Sequence, residues 1–447
     1  MGNLEGIYEQ GSEGIVPVLF RTGPAGCGKT YSVRAEIDKD PKFALLSATT
    51  GIAAINLGTI TLNSLLRYFN TQSLEEAFFN GWLQKTILKL AEDGYKWLAI
   101  DECSMLDGLQ LDILYQCIKM CNEVLSMSGK PPLGILLVGD FCQLSPVKAK
   151  WCFQAECWPF FKASTERMTK IWRQTDVRFL EAVNHIRSGR GMVGATLLHQ
   201  MGVEFVKHAD TTFTGTTIIA KNEAVDNFNW LCHSKIPGVP KVVSSDRWVT
   251  TGRQMPAEWN NIPQSLGLKP NAYVMILAND NPDFTFVNGD CGNIIDFDEA
   301  TGDFGVRLVR NKEEVRIGRI TRKVTQKEPP DELLLKYPGK AEDDLKELDF
   351  TPNTPYWDPS SGRSGLWVTG AISFYPLRLA YASTTHKCQG LTLDRIQVDL
   401  NQNFMSYPGM TYTALSRVKA PQGLRIVGSP ALLGSRTHTD PLVMEWL

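Results

Sequence analysis

The sequence lacks the long apolar runs of a membrane protein and the charge imbalance of a strongly basic nucleic-acid-binding protein. Apolar runs such as residues 135–138 are far shorter than the roughly 20 residues that a membrane-spanning helix needs. The first residues show no basic region followed by an apolar stretch, so we expect no secretory signal peptide. The 447 residues have a formal net charge of −2, which neither indicates nor excludes nucleic-acid binding.

The ten cysteines lack the spacing of a metal site or of a disulfide scaffold. None forms a Cys-x-x-Cys pair, and no two histidines stand at zinc-finger spacing. Cys117 and Cys121 are one helical turn apart and are expected on a buried helix face. Unpaired cysteines in a chain of this length indicate a reducing compartment. We therefore expect the cytoplasm of a bacterial or virus-infected cell, with the nucleus and the mitochondrion as open alternatives.

Charge is unevenly distributed in the last third of the chain. Residues 304–327 hold eight Lys or Arg and two Glu, whereas residues 328–350 hold three Lys and eight Asp or Glu. The basic stretch has two interpretations: it guides a nucleic acid, or it is the solvated face of a strand. Residues 328–365 are rich in Pro, Gly, Asp and Ser and are predicted to form a loop.

Short apolar segments alternate with helical patterns, which is typical of a parallel sheet covered by helices. In the first 150 residues we predict strands at 18–20, 43–46, 97–100 and 135–138, and helices at 31–37 and 109–120. A second α/β pattern starts near residue 166, with predicted strands at 217–220, 377–382, 396–400 and 424–427. Between these strands, residues 294–320 alternate apolar and basic residues, which predicts a small antiparallel β unit.

A glycine-rich loop after the first predicted strand is the most specific signal in the chain. The loop consists of Gly23, Pro24, Ala25, Gly26, Cys27, Gly28, Lys29 and Thr30, in the phosphate-loop pattern G-x-x-x-x-G-K-[ST]. Backbone N–H groups of such a loop surround phosphate oxygens, and the following helix directs its positive end at the same anion. We predict that Lys29 reaches the outer phosphates and that the Thr30 hydroxyl binds Mg²⁺.

Two further predicted strands end in polar residues. Asp101 and Glu102 follow the strand at 97–100, and we expect Asp101 to hold Mg²⁺ and Glu102 to orient and deprotonate the attacking water. Asp140 follows the strand at 135–138, and Gln143 offers an amide that can contact a γ-phosphate. Each pattern is weak alone, because helix N-caps and turns look similar. Together with the phosphate loop they predict a nucleoside triphosphatase.

Further segments resemble the motifs of the superfamily 1 helicases, and within them the 1B branch that contains RecD, the Pif family and the phage Dda helicase. The matching segments are TTGIAA from Thr49, TLNS from Thr61, RQTD from Arg173, AKN from Ala220, VNGD from Val287, THKCQGLT from Thr385 and YTALSR from Tyr412. They come in family order and extend the resemblance over about residues 16 to 428.

The resemblance implies an α/β fold with two RecA-like P-loop motor domains and the NTP between them. Residues 1–65 and 96–165 would form motor domain 1A, and residues 66–95 a small insertion 1B that acts as a wedge or pin. Residues 166–289 and 372–447 would form motor domain 2A, and residues 290–371 an SH3-like insertion 2B.

The resemblance also assigns roles to the residues that match its motifs. The implied catalytic residues are Lys29, Glu102, Gln143, Arg173 and Arg417, with both arginines reaching the phosphoryl group from the second domain. The implied nucleotide contacts are Gly23 to Thr30, Gln143 and Gly390, and the implied Mg²⁺ ligands are Thr30 and Asp101. The implied DNA contacts, through groups that touch phosphates without reading sequence, are Thr50, Thr61, Asn63, Ser64, Asn222, Thr385 and His386.

The aromatic residues of the segment 66–95 have two interpretations. Phe69, Phe78, Phe79 and Trp82 are candidates to stack on bases or to split the duplex. The alternative is that they form a small core of the insertion itself.

The resemblance implies an ATP-dependent DNA helicase that moves 5′ to 3′ on single-stranded DNA and unwinds duplex DNA, in replication, recombination or repair. Its partners would be single-stranded DNA and single-strand/duplex junctions. We expect a monomeric motor with no membrane partner, and a single-strand-binding or replisome protein is an open partner. The alternatives are a translocase on single-stranded DNA or RNA with weak unwinding, and a P-loop ATPase that switches a protein partner. Gln10 is followed by the short, glycine-rich GSEGIVP, so other NTPs beside ATP stay open as substrates.

Overall fold

A computed structural model of the chain describes residues 16–146, 148–278, 285–286, 288–349, 351–361 and 365–446. The described residues divide into two compact units. The first contains the residues up to Cys232 and from Ala380 onward, and the second runs from His233 to Leu379. Within the described ranges, no helix combines the length and the apolar character that crossing a membrane requires. Gln10 lies outside the described residues.

The first unit contains a six-stranded sheet in which all strands are parallel. From edge to edge the strands are Ile60–Thr61, Ala44–Ala48, Trp97–Asp101, Gly134–Gly139, Val18–Thr22 and Thr165–Arg167. The four strands predicted in this region are confirmed, and the three central ones are buried throughout. Continuous apolar runs are typical of parallel strands that are covered on both faces. Because parallel strands end at one edge, the polar residues that follow them are brought together there.

Among the described residues, seven helices surround this sheet, and two of them, Lys29–Lys39 and Gly108–Met127, begin close to the positions predicted from the sequence. The seven helices are Lys29–Lys39, Gly51–Leu57, Leu62–Leu66, Thr71–Phe79, Trp82–Glu92, Gly108–Met127 and Trp158–Ala163. The long helix Gly108–Met127 begins where the Asp107 side chain accepts the backbone N–H of Leu109, which is a typical N-cap. Its buried face includes Cys117 and Cys121, as the sequence predicts.

The first sheet extends beyond the predicted boundary of motor domain 1A. Thr165–Arg167 pairs in parallel with Val18–Thr22 and forms the edge of the first sheet. The predicted start of motor domain 2A at residue 166 is therefore wrong, because it cuts through this edge strand. The strand is short and only partly buried, which is why it leaves no apolar run in the sequence.

The segment 66–95 forms the helix pair Thr71–Phe79 and Trp82–Glu92. The buried residues of the two helices are Leu74, Ala77, Leu83, Ile87 and Leu90. The core of the segment is therefore aliphatic, and the interpretation of an aromatic core is wrong. Phe69 and Phe79 are 71% and 78% exposed, which leaves them free to contact a ligand.

A second sheet of the first unit has five strands, and these are also parallel. In spatial order they are Ala382–Thr384, Thr216–Ile219, Ile396–Asp399, Leu424–Val427 and Glu204–Val206. The surrounding helices are Val177–Arg187, Gly191–Gln200, Asn222–Ser234, Thr385–Cys388, Met410–Leu415 and Pro430–Arg436. The second α/β pattern predicted from the sequence is confirmed except at the predicted strand 377–382. Leu377–Leu379 pairs antiparallel with Tyr273–Ile276 in the second unit, and only Ala382–Thr384 joins this parallel sheet.

The segment Pro441–Trp446 follows the second sheet in the chain but packs on the first. Trp446 is 3% exposed, and its ring centroid lies 5.7 Å from Phe20, 5.3 Å from Phe141 and 5.5 Å from Trp158. The ring planes of these pairs are steeply inclined, an arrangement that aromatic side chains favour. This aromatic cluster fastens the last described segment to the central strands of the first sheet.

The second unit is built mainly from antiparallel strands. One five-stranded sheet contains, in order, Glu314–Ile317, Asp303–Leu308, Cys291–Asp298, Tyr273–Ile276 and Leu377–Leu379. A second sheet contains Asp246–Val249, Leu366–Phe374, Ile320–Gln326 and Tyr356–Asp358, and a third pairs Ser265–Leu268 with Lys241–Ser244. The predicted antiparallel β unit is confirmed, and its SH3-like character stays a prediction. The placement of residues 233–289 and 372–379 in motor domain 2A is wrong, since they belong to this unit.

Most cations of the basic stretch 304–327 are paired with carboxylates. The ion pairs are Arg307–Glu314, Arg310–Asp290, Arg316–Asp296, Arg319–Asp246 and Lys323–Asp358. A cation that is already neutralised attracts a phosphate backbone less strongly. The structure therefore favours the solvated strand face over a guide for nucleic acid.

The prediction of a loop over residues 328–365 is wrong in part. The segment contains the short helices Asp331–Lys336 and Glu342–Lys346 as well as the strand Tyr356–Asp358. Leu333 and Leu345 from the two helices bury against Trp367 in a small apolar cluster. Burial of these isolated apolar residues orders the segment although its overall composition is polar.

Candidate nucleotide and nucleic-acid site

The phosphate loop connects the strand Val18–Thr22 to the helix Lys29–Lys39, at the edge of the first sheet where its parallel strands end. Lys29 is 9% exposed, and its Nζ donates to the carbonyl oxygens of Gly23 (2.8 Å) and Pro24 (3.1 Å). The ammonium group thus lies inside the loop whose backbone would surround a phosphate. Gly26 has φ 82°, and a Cβ there would lie 2.6 Å from Cβ of Arg173, so the close approach requires glycine.

Thr30 and Asp101 lie together at the start of the helix that follows the loop. Thr30 Oγ1 donates to Asp101 Oδ2 (2.8 Å), and the backbone N–H of Glu102 donates to Asp101 Oδ1 (2.8 Å). Burial raises the pKa of Asp101, against the lowering effect of its hydrogen bonds with Thr30 and Glu102 and of the nearby Lys29 charge. The described residues contain no group of three or more His, Cys, Asp or Glu side chains suited to a metal. Mg²⁺ needs only one or two protein oxygens beside substrate phosphates and water, so this pair fits it.

Glu102 occupies an unusual backbone position directly after the strand Trp97–Asp101. Its φ of 53° and ψ of 42° lie in the left-handed region, which is uncommon for a residue other than glycine. Its Oε2 accepts a hydrogen bond from Gln389 Nε2 (3.0 Å). Burial, and then the charge of Asp101, raise the pKa of Glu102 to about 7. A carboxylate with its pKa near neutrality is suited to accept a proton from water.

Arg417 follows the short helix Met410–Leu415 and is 1% exposed. It donates to the Thr413 carbonyl oxygen (2.8 Å), Ser416 Oγ (2.7 Å) and Gln143 Oε1 (3.4 Å). The structure thus brings Gln143 and Arg417 together, although they come from different sheets. Burial lowers the pKa of Arg417, which indicates that its charge is poorly compensated.

Arg173 comes from the first-sheet side of the site, and the prediction that it reaches across from the second domain is wrong. It follows the edge strand Thr165–Arg167, and its backbone N–H donates to the Gly26 carbonyl oxygen (3.3 Å). Its side chain donates to Thr392 Oγ1 (2.9 Å) and to the Ser416 carbonyl oxygen (2.9 Å). Burial, and then the charge of Arg417, lower the pKa of Arg173 to about 9.

The two arginines and Lys29 form a buried cationic group around the phosphate loop. Within the part of the chain that the structure describes, none of the three side chains forms an ion pair. The buried carboxyl groups of Asp101, Glu102 and Asp140 offset part of this positive charge, and a bound anion would offset more of it. A triphosphate would satisfy all three side chains at once.

Tyr412, Asp140 and Arg187 form a hydrogen-bonded group beside the phosphate loop, and the sequence assigned none of them a role in the site. The Tyr412 hydroxyl accepts the backbone N–H of Ala25 (2.8 Å) and donates to Asp140 Oδ2 (3.0 Å). Arg187 Nη2 donates to Asp140 Oδ1 (2.9 Å), and this partner lowers the pKa of Asp140 against the effect of burial. Tyr412 and Asp140 stand in recognised motifs, but no sequence signal shows that they meet at the phosphate loop.

Trp172 is a further residue that the sequence analysis missed. It is 63% exposed, and its Cδ1 would lie 3.5 Å from a Cβ placed on Gly28. Lys170 Nζ lies 3.6 Å from the ring centroid. An exposed indole beside a phosphate loop has a free face on which a planar ligand can stack.

Of the predicted DNA contacts in the first half of the chain, Asn63 lines a cavity, and Thr50, Thr61 and Ser64 are next to lining residues in the sequence. Thr49 and Asn63 line a cavity of about 380 Å³, together with the exposed Phe69 and with Asn70. Thr50 caps the helix Gly51–Leu57 by accepting the backbone N–H of Ala53 (3.1 Å). Thr61 Oγ1 accepts the N–H of Ser64 (3.1 Å) and donates to Ser64 Oγ (2.9 Å), so these two side chains are engaged with each other.

The predicted DNA contacts of the second half differ in accessibility. Asn222 is exposed at the start of the helix Asn222–Ser234, and His386 is half-buried, with burial lowering its pKa. Thr385 is fully buried, and its Oγ1 has no hydrogen-bond partner among the described residues. The structure therefore contradicts a direct contact by Thr385, because a strand on the surface cannot reach it. Gly390 has φ 78° and lies beside Glu102.

Comparisons with known proteins agree with this geometry. Residues 16–210 match the AAA domain family. The chain is 28% identical to the ATP-dependent DNA helicase PIF1 of Emericella nidulans, over 95% of this chain and 59% of that protein. It is 27% identical to the ATP-dependent DNA helicase Pif1 of Bdellovibrio bacteriovorus, over 92% of this chain and 84% of that protein. The chain thus spans less than two thirds of the fungal relative's length.

Solved structures show the same fold. Bacteroides Pif1 in complex with ADP-AlF4 has a TM-score of 0.69 and 23% identity, covering 100% of this chain and 96% of that one. The Bacteroides Pif1 helicase in complex with ADP-AlF3 and ssDNA has a TM-score of 0.57 and 23% identity, with the same coverage. The predicted α/β fold with two RecA-like motor domains is confirmed. In sequence and in fold the chain is similar to Pif1 helicases, which agrees with its resemblance to superfamily 1B.

Proposed function

We propose that the chain is a nucleic-acid-stimulated ATPase that moves 5′ to 3′ on single-stranded DNA and unwinds duplex DNA. The observation that carries this proposal is that Lys29 lies inside the phosphate loop, Arg173 packs against Gly26 of the loop, and Arg417 meets Arg173 at Ser416. None of the three forms an ion pair among the described residues. Hydrolysis at such a site would change the charge of the nucleotide beside Arg417. Because Arg417 follows a helix that surrounds the second sheet, this change would act on that sheet. The relatives named ATP-dependent DNA helicases support the same activity.

Each residue of the site has a distinct role in hydrolysis. Lys29 would bind the β- and γ-phosphate oxygens, and Gln143 the γ-phosphate. Glu102 would orient the attacking water and accept its proton, while Arg173 and Arg417 would stabilise the charge on the transferring phosphoryl group. Thr30 and Asp101 would hold Mg²⁺, which when bound neutralises phosphate charge.

Nucleic acid would lie across the edges of both sheets. The candidate contacts on the first sheet are Thr50, Thr61, Asn63 and Ser64, and those on the second are Asn222 and His386. Hydroxyl, amide and imidazole groups of this kind contact phosphates without reading sequence. Phe69 beside the cavity could stack on a base.

Two alternatives are kept because they share the ATPase site. A translocase on single-stranded DNA or RNA with weak unwinding would use the same motor. A P-loop ATPase that switches a protein partner would hydrolyse ATP without nucleic acid. The second sheet and its Arg417 favour a motor, because a simple switch needs neither.

The test measures NTPase rate and strand separation side by side. ATP and GTP hydrolysis is measured with and without oligo-dT, and unwinding with a 5′-tailed and a 3′-tailed duplex. We expect oligo-dT to stimulate hydrolysis and only the 5′-tailed duplex to open. Hydrolysis that ignores oligo-dT, with neither duplex opened, would support the protein switch instead.

A pair of lysine variants ties the activity to the site. Lys29→Ala should abolish hydrolysis and leave oligo-dT binding intact, because Lys29 contacts only the phosphate loop. Lys39→Ala is the matched control at the other end of the same helix, where the side chain is 67% exposed. Retained hydrolysis in Lys29→Ala would contradict the site assignment.

A further inference from the structure

Glu102 is held at its backbone and at its carboxylate by residues next to candidate nucleic-acid contacts. Its left-handed backbone, φ 53°, is a conformation that a residue with a Cβ keeps only where its surroundings hold it. The direction of the carboxylate therefore depends on these surrounding bonds. Thr49 and Gln389 supply them, one from each sheet.

Thr49 holds the backbone from the first sheet. Its N–H donates to the Asp101 carbonyl oxygen (3.2 Å), and its Oγ1 donates to the Glu102 carbonyl oxygen (2.8 Å). The next residue, Thr50, is a candidate DNA contact, and its carbonyl oxygen accepts the N–H of Ala54 in the following helix (2.9 Å). Thr49 also lines the cavity that Asn63 shares. A strand in that cavity would therefore restrain the segment that holds Glu102.

Gln389 holds the carboxylate from the second sheet. Its side chain is 4% exposed, and its Nε2 donates to Glu102 Oε2 (3.0 Å). Gln389 directly follows the turn Thr385–Cys388, and its backbone N–H donates to the His386 carbonyl oxygen (3.3 Å). His386 is a candidate phosphate contact. The turn Thr385–Cys388 thus connects His386 to Gln389, and Gln389 bonds to Glu102, the proposed acceptor of the water proton.

The hydrogen bond from Gln389 leaves the second carboxylate oxygen available. Gly390 lies on the side of Oε1, where a Cβ would come to 3.8 Å from that oxygen. Oε1 accepts no hydrogen bond from the described residues and is therefore available to a water molecule. The hydrogen bond from Gln389 thus holds Oε2 of Glu102 in place and leaves Oε1 to accept a proton from the attacking water.

We propose that Gln389 is a positioning residue for Glu102 and that, with Thr49, it couples nucleic-acid binding to ATP hydrolysis. Nucleic acid held at His386 and Thr50 would fix both segments, and these would fix the Glu102 carboxylate toward the water. Without nucleic acid the two segments move independently, and Glu102 is aligned for less of the time. The inference rests on the proposed function, since it explains how the same site is stimulated.

The test compares Gln389→Ala with the wild-type chain in four measurements. These are kcat with and without oligo-dT, KM for ATP, Kd for oligo-dT by fluorescence anisotropy, and Tm. With oligo-dT, kcat should fall by about 10²-fold, the lower end of what a positioned general base contributes. KM for ATP and Kd for oligo-dT should stay within about threefold, because Gln389 contacts neither ligand. The ratio of stimulated to basal rate should approach one.

Two further variants keep the test decisive if Gln389→Ala is unstable. Gln389→Glu has nearly the same shape, but its ionised form offers Glu102 a like charge and no donor, so it should lose stimulation as well. Thr49→Val removes the hydroxyl that donates to the Glu102 carbonyl and should lower the stimulation ratio in the same direction. Gln397→Ala is the control: Gln397 is fully buried in the second sheet and bonds to Thr217, far from Glu102 in the hydrogen-bond network. Its stimulation ratio should stay that of the wild type.

A double variant tests whether Gln389 acts through Glu102. Gln389→Ala added to Glu102→Gln should cause no further loss, because the group it positions is already inactive. Independent, multiplied losses would overturn the proposal, and so would a wild-type stimulation ratio in Gln389→Ala. A loss confined to oligo-dT affinity would also overturn it, by making Gln389 a simple binding residue. A wild-type chain that oligo-dT does not stimulate would refute the proposed function itself.

Discussion

Arg417→Ala should slow hydrolysis by about three orders of magnitude with little effect on nucleotide affinity. Arg417 is 1% exposed and donates to Gln143 Oε1, so its charge acts in a site shielded from water. A unit charge about 4 Å from developing phosphoryl charge contributes about 4 kcal/mol at an effective dielectric constant of ~20. At about 1.4 kcal/mol per tenfold, this corresponds to a factor of about 10³ in rate. The value agrees with the loss of about 10³ to 10⁵ expected for an arginine finger.

The assay is steady-state hydrolysis at saturating oligo-dT, with nucleotide affinity measured separately by a fluorescent ATP analogue. Arg425→Ala is the matched control, because Arg425 lies nearby in the chain, in the strand Leu424–Val427, but is paired with Glu204 and Asp210. Its kcat should stay near the wild-type value. A rise in KM with unchanged kcat in Arg417→Ala would refute the reasoning, because it would show that Arg417 binds substrate and transition state equally.

Three further substitutions follow from single contacts. Tyr412→Phe removes the hydroxyl that bonds both the Ala25 N–H and Asp140. The free energy of unfolding should fall by about 1 to 3 kcal/mol, which calorimetry would show as a lower Tm, and kcat should fall as well. Thr385→Val should leave the affinity for oligo-dT unchanged and Tm unchanged or higher, because the buried Thr385 hydroxyl has no hydrogen-bond partner among the described residues. Weaker binding of oligo-dT would show instead that Thr385 contacts DNA directly. Trp172→Ala should raise KM for ATP more than it lowers kcat, because an exposed indole beside the loop can stack on the base; an unchanged KM would contradict this.

The elements predicted from the sequence are those that local patterns specify. The strands around residues 97–101 and 134–139 are continuous apolar runs, which are typical of parallel strands covered on both faces. The phosphate loop is fixed by its glycines and by the helix that follows at once. The edge strand Thr165–Arg167 was missed because it is short and half-exposed. The helices within 328–365 were missed because two buried leucines order a polar segment.

The sequence by itself determined the fold class, the phosphate loop and the pair Asp101 and Glu102, because each depends on residues adjacent in the chain. Only the tertiary structure decided what completes the site. Gln389 meets Glu102 across 287 positions, and Tyr412 meets Ala25 across 387 positions. The tertiary structure also shows that Arg173 lies against the phosphate loop of the first sheet and that Thr385 is buried. Side-chain periodicity shows which face of an element is buried, but contacts between separate sheets depend on how the chain returns in space.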